Sequence, residues 1–289
     1  MPSAIETFDL REYDLIISFS YAVAHGARNY NGARHVSYTY TPMRYAWTNL
    51  NVNGTRTRKN FLIDNFMTIF RAWDKRAAAR VHQFAAISQV VSQRIQRAYQ
   101  RDAPIIYPPV EIERFHPNNK REDYYITVSR LVAHKRIDLI VQAFSKLNLP
   151  LLVVGEGSEL PRLKSLANSN IKFLGYESDE KVAELMNKAR GFVCAAEEDF
   201  GIAIVEAQAA GCPVIAYGQG GALETVIDGE TGIHFSEQSV ESLIEAINRF
   251  NGISHFFQPE ILVNNSKRFS KDGFIKEFLE FVEPSNSGI

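Results

Sequence analysis

An α/β fold built on parallel sheets is predicted by three features of this 289-residue chain. Short β-rich runs alternate with amphipathic helical stretches, the runs are nearly continuous in apolar residues, and glycine-bearing loops follow several of them. Continuous apolar strands imply a sheet covered on both faces, and strand–helix alternation implies parallel pairing through crossovers. At roughly 100–200 residues per domain, the length implies two domains.

The first part opens with strand-like runs at 13–19 and 34–40, followed by a long helix from about 60 to 80. Leu62, Phe66, Ile69, Phe70, Trp73 and Ala77 recur there at helical spacing. A strand at 84–87 and a helix at 88–100 come next, with Ser88 as the expected N-cap. Between Tyr107 and Pro117 three prolines exclude regular helix and favour an extended connector. Beyond it the rhythm is regular, with strands expected at 124–129, 150–154, 171–174, 191–195, 213–217 and 232–235. Ile137, Ile140, Val141 and Phe144 form one helical stripe, and Val182, Leu185 and Met186 another. A final helix over 271–283 puts Phe274, Phe278, Phe281 and Val282 on one face, which needs a covering surface. The expected organisation is a domain over 1–118, a second over 119–268, and a C-terminal helical segment over 269–289 packing back towards the first.

Composition narrows the function classes. With 45% hydrophobic and 22% charged residues, the chain is neither disordered, collagenous nor coiled coil. No apolar run approaches the roughly 18–20 residues that span a bilayer. The opening residues, Met1 to Glu6, lack the basic and apolar regions of a secretory signal. Cys194 and Cys212 are too few for a disulfide scaffold or a multi-cysteine zinc site. A cytoplasmic location is therefore expected. Residues 1–118 carry 15 Lys and Arg against 9 Asp and Glu, whereas the remainder carries 17 against 24. Two readings of that asymmetry stand side by side: an anionic partner for the first half, such as a phospholipid surface or lipid phosphate, or chance composition with solvated helix faces. Arg56, Arg58 and Lys59 are the one dense basic cluster and no recognition motif accompanies them, so nucleic acid is not an expected partner. The aromatic helix at 60–80 likewise has two readings, a surface resting on a membrane or a buried core face.

Chemistry concentrates in two loops at expected strand ends, where ligands of open α/β sheets bind. Glu198 lies in the loop after the 191–195 strand, and Glu206 two turns into the following helix. That spacing suits two hydroxylated parts of one extended ligand better than a close catalytic dyad. Between the two acids, the Phe200, Gly201 and Ile202 N–H groups at the helix start could receive an anion. A plain acidic helix entry favoured by the macrodipole is an equal reading of the spacing alone. In the second loop Arg130 and Lys135 follow the 124–129 strand and could clamp a diphosphate, unless they form only a solvated basic loop. Gly155-Glu156-Gly157 and Gly218-Gln219-Gly220-Gly221 follow apolar strands but do not complete a dinucleotide fingerprint, and no Walker A sequence occurs. The seven histidines are scattered and no acidic cluster has ligand spacing, so no metal is expected.

Arg130 and Lys135, Gly155-Glu156-Gly157, Phe173-Leu174-Gly175, Glu198 and Glu206, Ala209-Ala210-Gly211-Cys212-Pro213 and Thr231-Gly232 also stand in a familiar order and spacing. In this the sequence resembles the retaining, nucleotide-sugar-dependent glycosyltransferases of family 4, over essentially its whole length and most strongly over 124–245. Asp9 to Ser18 and the Tyr40 to Trp47 loop look like the mannosyltransferase branch that builds surface polysaccharides.

The resemblance implies a GT-B architecture of two Rossmann-like domains with parallel sheets, the N-terminal one incomplete. It implies that Arg130 and Lys135 hold the donor diphosphate and that Glu198 bonds sugar hydroxyls beside the Phe200, Gly201 and Ile202 backbone. Glu206 would grip the ribose, and the Gly175-Tyr176 turn would lie near the base. Tyr40 and Arg44 fall in the acceptor-side loop, with Tyr40 standing where the family carries histidine. The implied donor is GDP-mannose, with no cofactor or metal, and the acceptor a glycan or lipid-linked saccharide at the inner face of a membrane. A catalytically silent or split-gene nucleotide-sugar-binding fragment is the alternative, with a phosphorylase or synthase of the same architecture behind it.

Overall fold

The computed structural model describes residues 2–47, 61–117 and 120–283. The basic cluster Arg56, Arg58 and Lys59 lies outside the described residues, as does the start of the helix expected from 60 and the side chains of Leu62 and Phe66. In chain order the elements are α1 (Pro2–Ile5), β1 (Leu15–Ser20), β2 (Arg34–Thr39), α2 (Arg44–Trp47), α3 (Phe61–Ala78), β3 (Gln83–Ala86) and α4 (Gln89–Tyr99). After the connector come β4 (Tyr125–Val128), α5 (Ile137–Leu147), β5 (Leu151–Val154), α6 (Leu160–Leu166), β6 (Ile171–Gly175), α7 (Asp179–Lys188) and β7 (Gly191–Cys194). The chain continues through α8 (Ile202–Ala209), β8 (Val214–Tyr217), α9 (Ala222–Thr225), β9 (Gly232–Phe235), α10 (Val240–Ile253), α11 (Pro259–Ser266) and α12 (Lys271–Val282). Two compact units result, one of Met1–Pro108 with Phe274–Ile289 and one of Pro109–Gly273.

In the first unit β1, β2 and β3 pair in that order, all parallel, with Ile17 opposite Val36 and Tyr38 opposite Ala85. Val36, Tyr38, Phe84 and Ala85 are fully buried at its centre. Ser88 caps α4, its hydroxyl accepting from the Val91 N–H. The aromatic face of α12 is also covered here: the Phe274 and Phe278 rings stack at 5.3 Å and meet Tyr38 at 5.5 and 5.7 Å. Arg34 donates to the Phe281 and Val282 carbonyls, acceptors that a helix C-terminus leaves unpaired. On α3, Trp73 is half-buried and its indole donates to Glu6 at 3.1 Å.

A polar knot not anticipated from the sequence lies under this sheet. Asp74 is completely buried and accepts from the Trp47 indole at 2.6 Å and the Tyr99 hydroxyl at 2.8 Å. His25 Nε2 stands at ion-pair distance, 3.0 Å, from its other oxygen, and His25 Nδ1 is 2.9 Å from Ser20 Oγ. Serine, histidine and aspartate are the members of a nucleophilic triad, but this serine has no exposure at all. The knot instead fixes α2, α3 and α4 to the end of β1: the Trp47, Tyr99 and Ser20 groups are hydrogen-bonded, while His25 Nε2 and Asp74 Oδ1 meet at ion-pair distance without a hydrogen bond.

In the second unit six parallel strands run in the order β6-β5-β4-β7-β8-β9. Numbered within the unit, this is the doubly wound 3-2-1-4-5-6 arrangement, whose direction of winding reverses between β4 and β7. One face packs Val153, Val193 and Ile215 against Ile140 and Phe144 of α5 and Leu243, Ile247 and Phe250 of α10. The other packs Ile126, Phe192 and Val214 against Val182 and Met186 of α7 and Ile204 and Ala207 of α8. Both faces are therefore covered at the middle of the sheet, which is why β5, β7 and β8 read as apolar runs without alternation.

Candidate functional site

At the reversal point, beyond the carboxyl ends of β4 and β7, lies a cavity of about 190 Å³. Thr127 to Arg130 line it from the β4 side, Phe192 to Ala196 from the β7 side, and Gly201, Ala203 and Ile204 from the start of α8. Arg130, Lys135 and Glu198 stand around this one space. Lys135 Nζ donates to both oxygens of Glu198, at 2.6 and 2.8 Å, with the two side chains only 19% and 21% exposed. Arg130 is exposed and makes no ion pair among the described residues. The cavity thus holds one cation already matched by a carboxylate and a second that is not. Cys194 also lines it, but burial pushes its thiol up to about 12, so it is no thiolate nucleophile at neutral pH.

Backbone packing fixes these loops. Gly155 has φ +127°, and a Cβ there would stand 1.9 Å from the Ser129 carbonyl oxygen. Gly220 has φ +66°, and a Cβ would stand 2.2 Å from the Glu198 carbonyl oxygen. Neighbouring hydrogen bonds run from Leu131 N to Glu156 O at 2.8 Å and from Gly221 N to Glu198 O at 2.7 Å. The glycine loops are therefore spacers that let adjacent loops lie main chain on main chain, holding Arg130 and Glu198 at the rim. They do not line the cavity.

The remaining expected site residues fall elsewhere. Phe200 is buried against Phe269, with ring centroids 5.3 Å apart, and Ile202 is half-exposed at the first position of α8, so of that trio only Gly201 lines the cavity. Gly175 ends β6 with φ +76°, and Tyr176 beside it is 77% exposed. Glu206 does not line the cavity; one of its oxygens accepts from Arg114, whose other terminal nitrogen lies 3.0 Å from Asp179. Burial pushes the Glu206 carboxyl up and the Arg114 guanidinium pulls it back. Tyr40 and Arg44 belong to the first unit: Tyr40 directly follows β2, is 37% exposed and meets the Tyr38 ring edge-on, while Arg44 opens α2.

Sequence reasoning missed three residues that hold α8. Arg114 was passed over as part of the connector. Gln208, fully buried, donates to the Thr225 carbonyl at 2.8 Å and accepts from Asn265 at 2.6 Å. A glutamine in a helix whose only other polar side chain is Glu206 was the one available signal. Among the described residues no group of three or more His, Cys, Asp or Glu could hold a metal ion, and no helix is long and apolar enough to cross a membrane.

The sequence pattern of the family described as Glycosyl transferases group 1 matches residues 110–254. An uncharacterized glycosyltransferase of Methanocaldococcus jannaschii is 27% identical over 206 residues, which is 70% of this chain and 58% of that protein. A GDP-mannose-dependent monoacylated α-(1-6)-phosphatidylinositol monomannoside mannosyltransferase of Corynebacterium glutamicum is 29% identical over 205 residues, 60% of this chain and 54% of that protein. The chain thus spans little more than half the length of these relatives. Among solved structures, a sucrose-phosphate synthase of Thermosynechococcus elongatus matches with a TM-score of 0.77 over 93% of this chain and 73% of its own, at 18% identity. That likeness concerns the fold, an α/β architecture with parallel sheets of the GT-B kind. With half of its length matched by the family pattern, the chain belongs to the group 1 glycosyl transferases.

Proposed function

We propose that this chain is a retaining glycosyltransferase of the family 4 type, moving a hexose from a nucleotide-sugar to a glycan or lipid-linked acceptor. Mannose from GDP-mannose is the donor we favour, and surface polysaccharide synthesis at the inner face of a membrane the setting. The observation that carries the reading is the grouping of Arg130, Lys135 and Glu198 around one cavity at the winding reversal of the sheet. A diphosphate fits a site with two cations, and a carboxylate beside them can accept hydrogen bonds from sugar hydroxyls. The name of the corynebacterial relative supports GDP-mannose, while the synthase fold relative keeps other donors in the comparison.

In this reading the bond between the anomeric carbon and the diphosphate breaks, and its electron pair leaves with the phosphate oxygen. Arg130 and Lys135 stabilise that growing charge, worth most where water is excluded. The acceptor oxygen forms the new bond on the same face of the sugar, and its proton passes to the departing diphosphate. Positioning that hydroxyl is the remaining task. No metal or cofactor has a role in these steps, so transfer should persist in chelator.

The test is release of GDP from GDP-mannose, with and without a lipid-linked saccharide. Loss of turnover in Arg130→Ala and Glu198→Ala is the expected result; unchanged turnover in both overturns the assignment. Nucleotide binding without transfer would instead mark the silent or split-gene alternative, and dependence on inorganic phosphate a phosphorylase.

A further inference from the structure

Arg114 is a charged side chain that joins the connector to both α7 and α8 of the second unit, and no role in ligand binding has yet been given to it. It closes the short 3-10 turn Ile112–Arg114 in the connector. The backbone there is fixed on both sides: Phe115 is 5% exposed in the core, and the Val110 N–H donates to the Phe269 carbonyl at 2.9 Å. The guanidinium carbon lies 4.9 Å from the centre of the Phe115 ring, which limits its movement. From this seat one planar fork reaches Glu206 on α8 and Asp179 at the first position of α7. The turn ahead of α7 contains Gly175 and Tyr176.

Glu206 has one oxygen bound to Arg114, while its second has no partner among the described residues, and the side chain keeps 15% of its exposure. An acid anchored by one oxygen and open at the other is arranged to accept hydroxyl donors. We propose that Arg114 is a positioning residue for the nucleoside end of the donor, holding Glu206 towards the ribose hydroxyls and tying it through Asp179 to the Gly175–Tyr176 turn. This rests on the reading of the chain as a nucleotide-sugar enzyme with Glu206 on the ribose. The charge balance agrees: burial, Asp179 and Glu111 of the connector all favour the neutral acid, and Arg114 is the cation opposing them. Without Arg114 the acid is free to rotate and takes up a proton more readily.

The test is calorimetric titration of the whole chain and its variants with GDP, UDP and inorganic pyrophosphate, from pH 6 to pH 8. Arg114→Met should weaken the better-bound nucleoside diphosphate about tenfold, the scale of one charge-assisted hydrogen bond. The loss should deepen towards pH 6, pyrophosphate affinity should stay unchanged, and Arg114→Lys should recover part of the loss. Arg114→Met added to Glu206→Gln should weaken binding no further than Glu206→Gln alone. A merely structural arginine would lower nucleotide and pyrophosphate binding together. That result, wild-type affinity in Arg114→Met, or losses that add in the double variant each overturn this inference alone. Wild-type chain that binds no nucleoside diphosphate overturns the reading of the site beneath it, and nucleotide binding that Glu206→Gln leaves intact overturns the ribose role.

Discussion

Replacing Glu198 by glutamine should tighten binding of a bare nucleoside diphosphate while slowing sugar transfer. Lys135 Nζ lies 2.6 and 2.8 Å from the two Glu198 oxygens, and both side chains are about four-fifths buried. In the proposed function an incoming diphosphate shares that ammonium and approaches a carboxylate of its own sign. Unit charges ~4 Å apart interact by about 4 kcal/mol at an effective dielectric of ~20. Residual exposure and salt reduce this, so the net competition is about 1 kcal/mol, or roughly fivefold in Kd. Glutamine keeps the shape and removes the charge, so GDP should bind about fivefold more tightly to Glu198→Gln, with a smaller gain at high salt. If Glu198 accepts from sugar hydroxyls as proposed, the same variant loses that charged acceptor, and kcat/KM should fall by about ten- to a hundredfold. Calorimetry with GDP and a release assay with GDP-mannose measure the two halves. Weaker or unchanged GDP binding in Glu198→Gln would refute the view that this acid is the resting counterion of Lys135.

The spacer role of glycine is checked by Gly155→Ala, which combines a positive φ with a Cβ 1.9 Å from the Ser129 oxygen. It should destabilise the second unit by about 3 kcal/mol or more, seen as a lower urea midpoint. Asp74→Ala leaves Trp47 and Tyr99 without their buried acceptor, removes the carboxylate 3.0 Å from His25 Nε2, and should cost about 3 kcal/mol in the first unit. Trp47 and Trp73, both in that unit, make fluorescence selective for its unfolding. His35 is fully buried, and desolvation first, then His25, His82 and Arg80, lower its pKa from 6.5 to about 4. Below 6.5 the unfolded chain therefore takes up a proton that the folded unit refuses. His35's contribution is complete above pH 6.5, falls as the pH drops towards 4, and amounts to on the order of 3 kcal/mol. Urea midpoints by tryptophan fluorescence should follow that slope, and His35→Asn should flatten it.

Much of this was legible because the relevant signals are local. Nearly continuous apolar runs marked the strands of the second unit, most clearly β5, β7 and β8, since a strand covered on both faces has no alternation to display, whereas β6 at the sheet edge carries the exposed Lys172. Serine at 88 announced the helix it precedes through the hydroxyl that caps it. The grouping of Arg130, Lys135 and Glu198 could be expected because each follows a strand, and parallel strands deliver their loops to one edge. Pairing was not legible. That Lys135 is bonded to Glu198 depends on the lateral adjacency of β4 and β7, and that Glu206 is held by Arg114 depends on how the connector returns beneath α8. The glycine loops were open to two readings because close approach between loops leaves no mark on the sequence other than the glycine itself. The buried Asp74 knot was hidden for a similar reason: its members come from five separate stretches of chain, and none is unusual alone.

The division of the chain inside α12 has a topological consequence. The polypeptide leaves the first unit after Pro108 and re-enters it at Phe274, so the second unit is an insertion within the first rather than its successor. Ending the chain at Gly273 would spare all six strands of the second unit yet strip the ring ladder from Tyr38 and Phe19, injuring the unit whose own strands lie more than 180 residues before the cut.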